Sequence, residues 1–324
     1  MRAAWLLGVL AGCGRLGFGL GDDGDVDAAT DAPEQTVLVD FSGLLPYDPN
    51  DFVDGGMASD NGMRAIGAMY APFPDGFAVL AGRSLLELRS DGTNVRHDYA
   101  PAAPDMAGPD NLEGVVFGVV GGVAALWLGS QSQLGGDGVY EVTPTWTISR
   151  EENNNNTADV AVDPTGAFDA RGTPTLYYVS GNAGLMRRDA RLTFTVIAPF
   201  SADVNGIALT PSAIYVVESD AAPGDMRMWR VDSVGHTVTK IDEAPTIDLA
   251  DGGPATDVIG VRDQHEVVQY TPDGTRTVLA TSPDLDSKWI GISIPRAPHP
   301  LAGRMIVLET NRVLDRDRLV LLPP

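Results

Sequence analysis

The chain has 324 residues, with 22 Lys and Arg against 44 Asp and Glu, a formal net charge of −22. That charge excludes a nucleic-acid binder working through a basic surface. Hydrophobic residues make up 44%, ordinary for a folded soluble protein and too few for a polytopic membrane protein, and the single Cys excludes an intramolecular disulfide or a thiolate metal cage.

At the N-terminus, Met1-Arg2 gives a short positive start, Ala3 to Leu10 an apolar run, and Leu10-Ala11-Gly12-Cys13 follows at once. This order reads as a bacterial export signal, and the tetrapeptide resembles a lipoprotein lipobox, in which small residues admit the signal peptidase to the bond before a lipidated Cys. The expectation is a signal peptide over 1–12, lipidation at Cys13 and attachment to a membrane through that anchor. The protein is then expected in the cell envelope of a Gram-negative bacterium, periplasmic or surface-exposed. From Leu16 to Met63 there are 11 acids and no base. Residues 13–34, most of them inside this stretch, read as a self-repelling, disordered tether. Asp23, Asp25 and Asp27 alternate as in a calcium loop, but Ala28 stands where an EF-hand needs its turn glycine.

Residues 35–324 carry an internal repeat. A short apolar run recurs six times, ending at Leu80, Leu128, Val179, Val217, Val261 and Leu308, with spacings of 48, 51, 38, 44 and 47 residues. That is the length of one four-stranded propeller blade. Each copy follows a strand rich in small residues, such as Ile66 to Met69 or Gly206 to Leu209, and precedes a third strand, such as Leu85 to Leu88. A fourth strand ends five of the repeats, as in Thr275 to Leu279, while the sixth stops at Pro324 without one. Gln35 to Val39 has the missing pattern, so the reading is an all-β, six-bladed β-propeller whose N-terminal strand closes the last blade. Residues 114–136 carry no charge, yet Gly121-Gly122 falls at a turn between two strands, which argues against a membrane helix.

Val204-Asn205-Gly206-Ile207-Ala208-Leu209-Thr210-Pro211, then Ile214 to Ser219 and Met228 to Asp232, resembles the gluconolactonase, regucalcin and strictosidine-synthase group of six-bladed propellers, and Asp159 to Gly166 is a shorter second match. The resemblance implies that architecture. In the metal-dependent lactonases of the group a divalent ion sits at the channel mouth, held by a Glu, two Asn and an Asp from different blades. Carried over, Asn205 before Gly206 matches one Asn, and Glu113 before Gly114 has the equivalent place in the second repeat. The third repeat departs from the pattern with Ala158, followed by Asp159; the sixth has Lys288; the fifth offers Asp248. The expected metal site is therefore Glu113, Asn205, Asp159 and Asp248 around one divalent cation, calcium or similar, with Lys288 as a competing counter-charge.

Other chemical signatures are absent. His97, His236, His265 and His299 lack paired zinc spacing, and the chain has no Gly-x-Ser-x-Gly elbow and no P-loop. Two functions follow: a lipid-anchored binding or interaction module for a small-molecule or protein ligand, expected to be monomeric, or a metal-dependent hydrolase of lactones or related esters.

Overall fold

The computed structural model describes residues 35–44, 63–99, 109, 112–131, 136–151, 157–163, 175–181, 183–200, 203–219, 227–242, 246–250, 257–311 and 313–323. The expected signal peptide, Cys13 and the tether lie outside them.

Among the described residues, twenty-four strands form six antiparallel sheets of four. Blade one is β2 (Met63–Met69), β3 (Gly76–Ala81), β4 (Ser84–Arg89) and β5 (Asn94–Asp98). Blade two is β6 (Leu112–Val120), β7 (Val123–Ser130), β8 (Gly138–Val142) and β9 (Ile148–Arg150); blade three is β10 (Thr157–Asp163), β11 (Thr175–Ser180), β12 (Gly184–Ala190) and β13 (Thr193–Ala198). Blade four is β14 (Asp203–Thr210), β15 (Ala213–Ser219), β16 (Arg227–Asp232) and β17 (Val238–Asp242); blade five is β18 (Thr246–Leu249), β19 (Val258–Arg262), β20 (Glu266–Tyr270) and β21 (Arg276–Thr281). Blade six takes β22 (Ser287–Ser293), β23 (Ile306–Asn311) and β24 (Arg316–Leu321) from the C-terminus and β1 (Thr36–Asp40) from the N-terminus.

The recurring apolar runs are the second strands. β3 and β11 are buried at every position because each lies between two neighbouring blades, whereas the outer strand β5 alternates exposed and half-buried residues. The core is accordingly divided. Six apolar clusters of described residues lie at the six blade junctions, for example Phe77 and Val79 against Ile306 and Leu308 at the junction of blades one and six. Trp127, Tyr177, Tyr178 and Tyr215 fill such junctions. Trp229 is half-buried and donates its indole N–H to Glu218 Oε2 at 2.7 Å.

The uncharged stretch after Gly114 is the β6–β7 hairpin. It turns at Gly121 and Gly122, whose φ values of 59° and 85° suit glycine.

Closure uses both chain ends. β1 pairs antiparallel with β24, Phe41 is buried beyond it, and the chain is tied down by Phe41 N–H to Asp317 O at 2.9 Å and Asp317 N–H to Ser42 Oγ at 2.9 Å. The loop after β22 crosses to blade one through buried His299. Its Nε2 meets Gly76 O at 3.2 Å, and its Nδ1 accepts from Leu301 N–H at 3.0 Å. Burial pulls the His299 pKa below its usual value, which keeps the ring neutral in this arrangement.

Candidate functional site at the channel

All six innermost strands carry one extra residue at the same point near their start. The pairing skips between Met63 and Ala65, Leu112 and Gly114, Thr157 and Asp159, Val204 and Gly206, Thr246 and Asp248, and Trp289 and Gly291. A bulge re-aims the residues after it, so register can be compared around the ring. The extra residues are Arg64, Glu113, Ala158, Asn205, Ile247 and Ile290. The next residues, in blade order, are Ala65, Gly114, Asp159, Gly206, Asp248 and Gly291. The third in each blade is aliphatic: Ile66, Val115, Val160, Ile207, Leu249 and Ile292. Those six aliphatic residues are buried yet all line the axial channel, one from each blade.

Asp159 and Asp248 do the same job two blades apart. Asp159 accepts from its own following amide, Val160 N–H at 2.8 Å, and from Ile207 N–H of blade four at 3.0 Å. Asp248 accepts from Leu249 N–H at 2.9 Å and from Ile292 N–H of blade six at 2.8 Å. Each carboxylate therefore clasps its own blade to the next. Glycine in the even blades leaves space: a Cβ at Gly114 would lie 2.3 Å from Asp159 Oδ1 and 2.5 Å from its Cα.

The channel cavity has a volume of about 50 Å³, enough for a few waters or a small chemical group. Asp159 and Asp248 stand at the level of the strand starts, and Tyr70, Phe117 and Arg296 lie towards the strand ends. Tyr70 and Phe117 meet edge-on with centroids 4.3 Å apart. The aromatic contact continues through Phe73 to Trp146, which stacks on His97 at 3.9 Å. Burial pushes the Asp248 pKa up to about 7, against the pull of its two amide donors.

The four sequence-derived site residues divide into two pairs. Glu113 and Asn205 occupy the bulge position of blades two and four, whereas Asp159 and Asp248 occupy the following position of blades three and five. The channel brings the two aspartates together as lining residues; half-buried Glu113 is not among the lining residues. Lys288 is not the sixth-blade counterpart. It stands two residues before the bulge residue Ile290, because the skip in β22 falls later than small-residue matching suggested, and it does not line the cavity. A hard divalent cation wants six to eight oxygen ligands. Among the described residues no three His, Cys, Asp or Glu side chains group as a metal site, and both aspartates already accept backbone amides. The described residues do not by themselves form a calcium cage.

Fold and channel together define a six-bladed β-propeller with an acid-clasped axial cavity. No protein-family model and no curated protein matches the chain. Among solved structures, it is similar to regucalcin, a calcium-binding protein from Agrobacterium tumefaciens, with 13% identity and TM-score 0.56 over 80% of this chain and 89% of that one. The Pan2 WD40 domain of Neurospora crassa matches at 10% identity and TM-score 0.49, covering 77% and 72%. Sqt1 of Saccharomyces cerevisiae matches at 11% identity and TM-score 0.48, covering 83% and 74%. At 13% identity the regucalcin match establishes a shared architecture alone.

Proposed function

We propose that the protein is a lipid-anchored binding module of the cell envelope, whose rigid propeller presents its axial cavity to a ligand. The observation that carries this reading is the engagement of Asp159 and Asp248 as blade-to-blade clasps around a preformed cavity, whose lining joins a ring of six aliphatic residues to Tyr70, Ser293 and Arg296. The anchor rests on Leu10 to Cys13, with the chain entering the propeller at Thr36.

A second reading, a divalent-metal-dependent hydrolase of lactones or related esters, is supported by one specific feature. Asp248 has its pKa pushed up to about 7, the range suited to a general base at neutral pH, and it lines the cavity. In that reading Glu113 and Asn205 would join the two aspartates around calcium.

One preparation tests both parts. Detergent-extracted protein should show an acylated Cys13 as its N-terminus by mass spectrometry, and an unlipidated start elsewhere would contradict the anchor. Calcium added to the same protein should leave its melting temperature unchanged. A rise that Glu113→Gln abolishes would overturn the binding-module reading in favour of the metal-dependent one.

A further inference from the structure

Among the described residues, the axial cavity is lined by two acids and one base, and they stand towards opposite ends. Asp159 and Asp248 lie at the level of the strand starts, whereas Arg296 follows the end of the innermost strand of blade six. The aliphatic ring separates the two levels. Each acid receives one backbone amide per carboxyl oxygen: Val160 and Ile207 on Asp159, Leu249 and Ile292 on Asp248. A carboxylate offers about four lone-pair sites, so two amides orient it without saturating it. A guanidinium carries five N–H donors in a fork that matches a carboxylate, more than a single partner uses. Arg296 stands four residues after Ile292, whose amide is bonded to Asp248, so at most about 14 Å of backbone parts the two poles. One small molecule can span them.

We propose that the cavity binds a small amino acid as its zwitterion, with the ammonium group at Asp159 and Asp248 and the carboxylate at Arg296. This rests on the channel being the ligand pocket. A ligand of one charge meets its own sign at one end, the acids for an anion and the guanidinium for a cation, and only a bipolar ligand gains at both. The volume of about 50 Å³ restricts it to a short chain between its charged ends, and the aliphatic ring suits methylene groups there. Burial pushes the Asp248 pKa up to about 7, and an ammonium group at the carboxyl favours the charged form that burial disfavours.

The test uses full-length, isotope-labelled protein at pH 8, above the Asp248 pKa of about 7. It is titrated with glycine, β-alanine and 4-aminobutyrate, which vary the spacing of the charges, and with propylamine, butyrate and neutral butyramide. One of the amino acids should shift the Ile207 and Ile292 amide resonances and the Arg296 Nε–H resonance saturably, with an affinity at least tenfold above that of propylamine or butyrate. Arg296→Gln should remove that tenfold advantage without weakening propylamine. Amino acids that bind no better than the singly charged compounds would overturn the proposal. A response to butyramide alone would overturn it while leaving the channel as a binding pocket. No response to any of the six compounds would overturn both. The ranking in the wild-type protein decides the matter even if Arg296→Gln fails to fold.

Discussion

The arc of blades three to six and the arc of blades one and two are built on one repeat but finished differently at the axis. In the first, Asp159 and Asp248 tie successive innermost strands through backbone amides; in the second, the corresponding position is Ala65, whose own side chain carries no acceptor. The difference separates two uses of the same position. A carboxyl group receiving two amides rigidifies its junction, because a buried donor is costly to leave unmet. Apolar packing cannot explain the contrast, since each of the six junctions has its own apolar cluster.

The largest effect should come from crowding the boundary between the two arcs where Gly114 of blade two meets Asp159 of blade three. Gly114→Ala places a methyl group within 2.5 Å of the Asp159 Cα, so the β10 backbone has to move. The expected loss is about 3 kcal/mol or more, read from chemical denaturation. Gly291→Ala, whose nearest neighbour is the Ile66 Cγ2 methyl at 3.3 Å, should cost clearly less. Equal losses would mean that close approach does not distinguish the two boundaries between the arcs.

A smaller effect is expected from removing one clasp, and it depends on pH. Asp248→Ala strands the Leu249 and Ile292 amides and should cost about 2 kcal/mol near pH 5. The folded-state pKa of Asp248, about 7, lies above its ordinary value of 3.8. Its contribution is therefore fully present below about pH 4 and is lost as pH rises through 7, at up to about 1.4 kcal/mol per pH unit. The cost of Asp248→Ala should accordingly shrink between pH 5 and pH 8. A cost that grows over that interval would show that the carboxyl is charged throughout. His299 acts in the opposite sense: with its pKa lowered, its contribution holds above its ordinary value of 6.5 and fades on acidification. The Asp248→Ala difference cancels that background.

Much of the architecture is legible in the sequence because repetition amplifies weak signals. Six apolar runs at blade spacing, together with the strand pattern at Thr36 to Val39, suffice for the blade count and for closure by β1. The site is less legible. A bulge adds a residue without leaving a mark in the hydrophobic pattern, so the register of blade six slipped and Lys288 stood in for Ile290. The clue was present in Ala65-Ile66, Gly114-Val115, Asp159-Val160, Gly206-Ile207, Asp248-Leu249 and Gly291-Ile292, a small or acidic residue before an aliphatic one in every repeat. What the pairs cannot reveal is that each aspartate reaches a backbone amide of the next blade, because a main-chain partner has no sequence signature.

The central claim, that aspartate carboxyls clasp the axis in one arc and not in the other, is tested most directly by amide hydrogen exchange at the six ring positions in the ligand-free wild-type protein. Ile207 and Ile292, bonded to Asp159 and Asp248, should be protected to the level of their blades, as should Val160 and Leu249. Ile66 and Val115 should exchange at least tenfold faster. Uniform protection across all six would contradict the account, since it would mean that blades one and two hold an acceptor of their own at the axis.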